Sequence, residues 1–117
     1  MKTYLEHTVV PVADLNWSLK FFADVFGMTE KRRKENTPRG TQVWLTGGLQ
    51  LVERKAAGAD ETDGGWNHHL GLMVSDLEAA TKAALAVPGV HPIEGQPAKW
   101  VELPDGTVLE LFQAPKD

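Results

Sequence analysis

Cysteine is missing from all 117 residues, which excludes disulfides, thiolate nucleophiles and zinc–thiolate sites. Any transition metal in this chain has to be held by histidine and carboxylates. Long apolar runs are missing as well: none approaches the roughly 18 residues of a membrane span, and the opening MKTYLEH has no apolar signal-peptide core. A cytoplasmic protein with no membrane partner is expected. Positive charge is in deficit, with a net charge of −4, which argues against a nucleic-acid partner. The one basic run, Lys31-Arg32-Arg33-Lys34, is flanked by Glu30 and Glu35 and reads as the solvated part of a strand or loop. The remaining composition, 42% hydrophobic and 24% charged, is that of an ordinary globular chain. A single domain over 1–117 is long enough to bury about two-thirds of its unfolded surface.

What the chain does have is repetition. HTVVPVADL from His7 and HLGLMVSDL from His69 carry histidine, valine, aspartate and leucine at the same four offsets. The first copy reads as a strand from Leu5 to Val12. Asp14 then stands as N-cap of a helix with Leu15, Leu19, Phe22 and Phe26 at helical spacing, ended by Gly27. Strands are expected over Met28–Lys34, Thr41–Thr46 and Leu49–Arg54, the last two joined through Gly47-Gly48. The second copy repeats the order with a strand over Asn67–Val74 and a helix from Asp76 to about Val87, where Ser75 and Glu78 match a capping box. Pro88-Gly89 stops that helix. Strands follow near Val90–Ile93, Ala98–Leu103 and Thr107–Gln113, with Pro104-Asp105-Gly106 as the final turn. The expected class is therefore α+β: two paired βαβββ modules, about 1–55 and 66–117, joined by a Gly/Asp-rich linker over 56–65 and forming a cupped, partly open mixed sheet.

The module ends invite a second match. Trp44-Leu45, the Gly-Gly turn and LQLVE ending at Glu53 parallel Trp100-Val101, the Pro-Asp-Gly turn and TVLE ending at Glu110. Each half would then open on a histidine and close on a glutamate. A lone histidine on a strand is usually a satisfied core or surface residue, and a glutamate near a strand end usually faces solvent. Matched positions in a repeat point further, because a unit that cannot close its own sheet packs against its copy and would bring two His and two Glu to one axis. A carboxylate on an apolar face is costly unless it is paired or binds metal. His7, Glu53, His69 and Glu110 suit one divalent ion (nickel, cobalt, manganese, zinc or iron) in near-octahedral geometry, with two positions left for water or a chelating substrate. Trp44 and Trp100 could wall an apolar pocket or pack in the core. His68 and His91 read as surface residues or as supports behind the ligands; Arg33, Arg39 and Lys99 are candidate anchors for an anionic substrate, though plain surface placement is the better reading.

The stretches LEHTVVPVADLNWSLKFFADVFGM, HLGLMVSDLEAA and LPDGTVLELFQ resemble the vicinal oxygen chelate superfamily, which includes glyoxalase I, bleomycin-resistance proteins, fosfomycin-type thiol transferases, methylmalonyl-CoA epimerase and extradiol dioxygenases. The resemblance implies paired βαβββ modules around a metal and a homodimer, with ligands from the first and last strand of each module: His7, Glu53, His69 and Glu110. This His/Glu/His/Glu set is most similar to glyoxalase I and implies a metal-dependent lyase or isomerase. In such an enzyme the ion would steady an enediolate of a small substrate while Glu53 and Glu110 move a proton. The alternatives are a bleomycin-resistance-like binding protein without turnover, a fosfomycin-type thiol transferase, a dioxygenase, and a degenerate enzyme whose metal site survives as structure.

Overall fold

A computed structural model describes residues 6–38, 40–53 and 69–115. Leu5, Arg39, Arg54, the linker over 56–65, Asn67 and His68 fall outside them. The chain divides into two compact units, Met1–Asp60 and Glu61–Asp117. Each holds one helix and one four-stranded mixed sheet, so the fold is α+β.

The first unit runs β1 (Thr8–Val12), α1 (Leu15–Phe26), β2 (Glu30–Thr37), β3 (Gly40–Leu45) and β4 (Leu49–Glu53), with sheet order β1-β4-β3-β2. β1 lies parallel to β4, and the other neighbours are antiparallel. The local chemistry explains the ends of α1. Asp14 is extended and its carboxylate accepts the Trp17 N–H at 3.0 Å, while Gly27 takes the left-handed conformation (φ 70°) and donates its own N–H back to the Ala23 carbonyl. Strand alternation does the rest. Val12, Val43, Leu45, Leu49 and Leu51 share the buried side with Leu15, Phe21 and Phe22 of α1. Phe21 meets Phe22 edge-on at 5.4 Å and stacks on Trp17 at 5.1 Å.

The second unit repeats the order with β5 (Leu70–Val74), α2 (Leu77–Leu85), β6 (His91–Pro92), β7 (Trp100–Glu102) and β8 (Val108–Gln113), in sheet order β5-β8-β7-β6. Its parallel pair is β5 with β8. The N-cap of α2 is Asp76, which accepts the Ala79 N–H at 3.0 Å, and not Ser75; the Ser75–Glu78 capping-box spacing is thus off by one. Ser75 instead gives its carbonyl to the Gln113 side chain. The turn after β7 closes as its composition requires. Gly106 stands at φ 90°, Leu103 and Thr107 are bonded across it, and Asp105 accepts both the N–H and the hydroxyl of Thr107.

Candidate functional site

Cross-strand register decides which side chains share a face, because directly paired residues project to the same side of a sheet. In the second unit Gly71 pairs with Glu110 and Trp100 pairs with the same Glu110. His69, two residues before Gly71, falls on that face. The side chains confirm it: His69 Nε2 lies 3.3 Å from Glu110 Oε1, and the His69 ring packs on Trp100 at 4.7 Å. Glu110 Oε2 is 3.2 Å from Lys99 Nζ, and that ammonium also sits 4.4 Å over the Phe112 ring. With its side chain only 16% exposed, Glu110 is more enclosed than His69 and Lys99, which it contacts. Gly71 keeps the space open, since a Cβ there would come within 3.3 Å of Phe112.

The first unit has the same architecture with different side chains. Val9 pairs with Gln50 and Trp44 pairs with Gln50, so Gln50 occupies the place that Glu110 holds in the second unit. His7, two residues before Val9, belongs to this face. Glu53 does not. It pairs with Val12 on the helix-covered side and accepts the Leu15 N–H at the start of α1, 3.3 Å away. Its counterpart is Gln113, which pairs with Val74 and accepts the Leu77 N–H at the start of α2, 2.9 Å away. The match of Glu53 to Glu110 is therefore corrected by three residues: LQLVE aligns with LELFQ. The cause is the hairpin. Trp44 meets its partner six residues on, at Gln50, whereas Trp100 meets its partner ten residues on, at Glu110. Counting from the tryptophan across turns of unequal length selects the wrong residue. The cost of burying a carboxylate does not arise for Glu53, which is exposed at the end of β4 and lies at a helix N-terminus, whose free N–H groups and positive dipole end favour its charge.

Gln50 is a buried polar residue held in one orientation. Its Nε2 donates to Gln42 Oε1 at 2.7 Å, Gln42 Nε2 donates to the Thr37 hydroxyl at 3.0 Å, and that hydroxyl donates to the Gly40 carbonyl at 2.6 Å. The amide nitrogen is thus committed, and the carbonyl oxygen is the end of Gln50 suited to a cation. His7 Nδ1 donates to the Glu6 carboxylate, which holds the Glu6 pKa below the ordinary glutamate value. That contact leaves Nε2 as the nitrogen a metal could take, since a carboxylate behind an imidazole commonly orients metal-binding histidines this way. Trp44 carries the Arg32 guanidinium 4.1 Å from its ring centroid, and its Nε1 is buried without a hydrogen-bond partner among the described residues.

The remaining candidates separate cleanly. Arg33 is clamped by Glu30 at 2.7 Å and Glu35 at 3.3 Å, which raises its pKa, so it is committed within β2. His91 is exposed on the edge strand β6. Lys99 is engaged by Glu110, and Arg39 and His68 lie outside the described residues. Spacing does not point to two residues that the structure brings forward: Gln50, because a carboxamide carries no charge signal, and Arg32, which pairs with Trp44 across a register irregularity between Glu30 and Arg32.

No group of three or more histidines and carboxylates stands ready-made for a metal among the described residues. The donor types nonetheless fit a divalent ion. Taken unit by unit, the first presents the His7 imidazole and the Gln50 amide oxygen and the second the His69 imidazole and the Glu110 carboxylate, donor types that suit divalent ions, and no thiolate competes.

A sequence profile of the Glyoxalase/Bleomycin resistance protein/Dioxygenase superfamily matches residues 4–111. The lactoylglutathione lyase of Haemophilus influenzae is 31% identical over 121 residues, which cover 92% of this chain and 90% of the relative. Two solved structures share the fold. The trypanothione-dependent glyoxalase I of Leishmania major aligns over 96% of this chain and 87% of its own, with a TM-score of 0.74 at 22% identity. The fosfomycin resistance protein FosX of Listeria monocytogenes aligns over 98% and 94%, with a TM-score of 0.69 at 19% identity. A duplicated βαβββ unit with histidine before each first strand, matched by that profile over nearly its whole length, makes the chain a member of the Glyoxalase/Bleomycin resistance protein/Dioxygenase superfamily.

Proposed function

We propose that this protein is a glyoxalase I-like, metal-dependent lyase or isomerase, acting as a cytoplasmic homodimer on a small substrate with two neighbouring oxygens. The observation that carries the proposal is the 3.3 Å approach of His69 Nε2 to Glu110 Oε1 on one face of the second sheet. The similarity to a lactoylglutathione lyase supports it and directs the substrate search to thiol adducts of α-ketoaldehydes. His7, Gln50, His69 and Glu110 are the proposed ligands, with Gln50 replacing Glu53. Bound by them, a divalent ion would act as a Lewis acid toward the two substrate oxygens.

The protein's own groups supply the remainder. Glu110 is the one carboxylate among the proposed ligands, so it is assigned the substrate proton as general base and returns it as general acid. Trp100 backs the His69 ring and limits its rotation. The Gln42–Thr37 relay keeps the Gln50 oxygen directed. Glu53 is assigned no part in the chemistry; it ties the end of β4 to the start of α1.

A paired substitution tests the ligand assignment. Gln50→Ala is expected to weaken metal binding by about tenfold or more, the scale seen when even outer-shell partners of a metal site are removed. Glu53→Gln should leave metal content and turnover near wild type, because a glutamine oxygen can accept the Leu15 N–H as Gln113 accepts that of Leu77. Metal analysis and turnover with α-ketoaldehyde thiol adducts read both variants. The reverse pattern, loss in Glu53→Gln with Gln50→Ala unaffected, would restore Glu53 as the ligand. Binding of an aromatic drug by chelator-treated protein, with no turnover under any metal, would favour a bleomycin-resistance-like binder.

A further inference from the structure

We infer that Lys99 is the resident counterion of Glu110 and is exchanged for the divalent cation when that carboxylate takes up metal, so that Lys99 sets the metal affinity of the second unit. The inference rests on the metal-dependent reading above. Three observations lead to it.

First, both Glu110 oxygens are engaged: Oε1 by His69 at 3.3 Å and Oε2 by Lys99 at 3.2 Å. An imidazole that shares a carboxylate can turn to a common metal ion with it. An ammonium cannot ligate, so its contact with Oε2 has to be given up or shared when a cation arrives. Second, the pair is partly enclosed, with the Lys99 side chain 33% and the Glu110 side chain 16% exposed. Charges placed this way are screened less than fully exposed ones, and the ammonium opposes an incoming divalent ion by simple repulsion. Third, Lys99 is well held. Its carbonyl accepts the Leu111 N–H at 2.9 Å, which fixes its backbone beside β8, and its Nζ already rests 4.4 Å over the Phe112 ring. The aromatic face gives the ammonium a favourable place to stay after releasing Glu110, without a large movement of the chain. Lys99 is thus a positioning residue that neutralises Glu110 while metal is absent and steps aside onto Phe112 when it is present.

The test is Mn²⁺ titration of the chelator-stripped full chain at low ionic strength, followed by electron paramagnetic resonance of the free ion, for wild type, Lys99→Met, Lys99→Gln and Lys99→Arg. Removing a unit positive charge this close to a ligating carboxylate should tighten Mn²⁺ binding by about tenfold or more in the Met and Gln variants. Lys99→Arg, which keeps the charge, should bind as wild type does. Added salt should narrow the gap between wild type and Lys99→Met. Thermal melting of each variant verifies folding, and the Gln variant stands in if Met at this half-exposed place impairs it. Equal or weaker Mn²⁺ binding in the neutral variants, beside a wild type that binds, overturns the counterion inference and leaves the metal reading intact. Failure of wild type and all variants to bind Mn²⁺, Ni²⁺ or Zn²⁺ overturns both.

Discussion

Glu110→Gln is expected to abolish measurable chemistry while leaving the fold standing. The substitution keeps size and shape but removes the one charged oxygen donor in the proposed ligand set and the assigned proton carrier in the same step. Loss of a general acid–base group alone costs about 10²–10⁴ in rate, and loss of metal adds to it, so turnover should fall by about 10³ or more. Stability should change little. The Glu110 contacts to His69 and Lys99 are 3.3 and 3.2 Å long and involve side chains that retain access to water, where ion pairs contribute modestly. Steady-state rates on thiol adducts of α-ketoaldehydes, together with metal content and thermal melting, separate the two effects. A Glu110→Gln protein that turns over at the wild-type rate would remove Glu110 from the mechanism.

The largest stability effect is expected at Phe22. Its side chain is fully buried, meets Phe21 edge-on at 5.4 Å and contacts Phe26 at 6.1 Å on the helix face that covers the first sheet. Phe22→Ala should cost about 3–5 kcal/mol, the transfer term plus the cavity that close-packed neighbours cannot fill. The corresponding fall in Tm is roughly 10 °C or more. Phe112→Ala is the control: at 37% exposed, its ring loses little on truncation, and a urea unfolding curve should shift only slightly. Comparable losses in the two variants would mean that the first sheet does not rest on α1 as described.

Much of the architecture was legible because its punctuation is local. Asp14, Gly27, Gly47-Gly48 and Pro104-Asp105-Gly106 act through their own backbone preferences and nearest neighbours, so α1 and both closing hairpins fall where composition puts them. The paired histidines were legible for a different reason: offsets run evenly from His7 and His69 into the helix caps, with no turn in between. The residue of β4 that shares a face with His7 was not legible. It lies beyond a hairpin, and the chain distance across a hairpin depends on loop length, while the spatial neighbour depends on which residues pair. Glu53 also carried the expected charge, which Gln50 does not. The Asp76 cap was missed by one residue because Ser and Asp are both good caps, and the competing Gln113 contact with the Ser75 carbonyl is remote in sequence. Lys99 stands out in the chain by its charge, but its partner is not readable there, since Glu110 is on a strand that reaches it only through the sheet.

The parallel pairing of first strand with last has a bearing on how the protein is made. Thr8 lies beside Leu49 and Leu70 beside Leu109, separations of 41 and 39 residues, so neither half can seal its sheet until its own final strand has been synthesised. Closing such a loop is entropically slow compared with winding α1 or forming the β3–β4 hairpin. On the ribosome β1 must therefore wait, edge open, until β4 emerges. The contacts of Glu53 with α1 and Gln113 with α2 then fasten the last strand of each half to its first helix. Because the first half contains every strand its sheet requires, it can complete this step while the second is still being translated. Duplication in this chain thus divides one long folding problem into two sequential shorter ones.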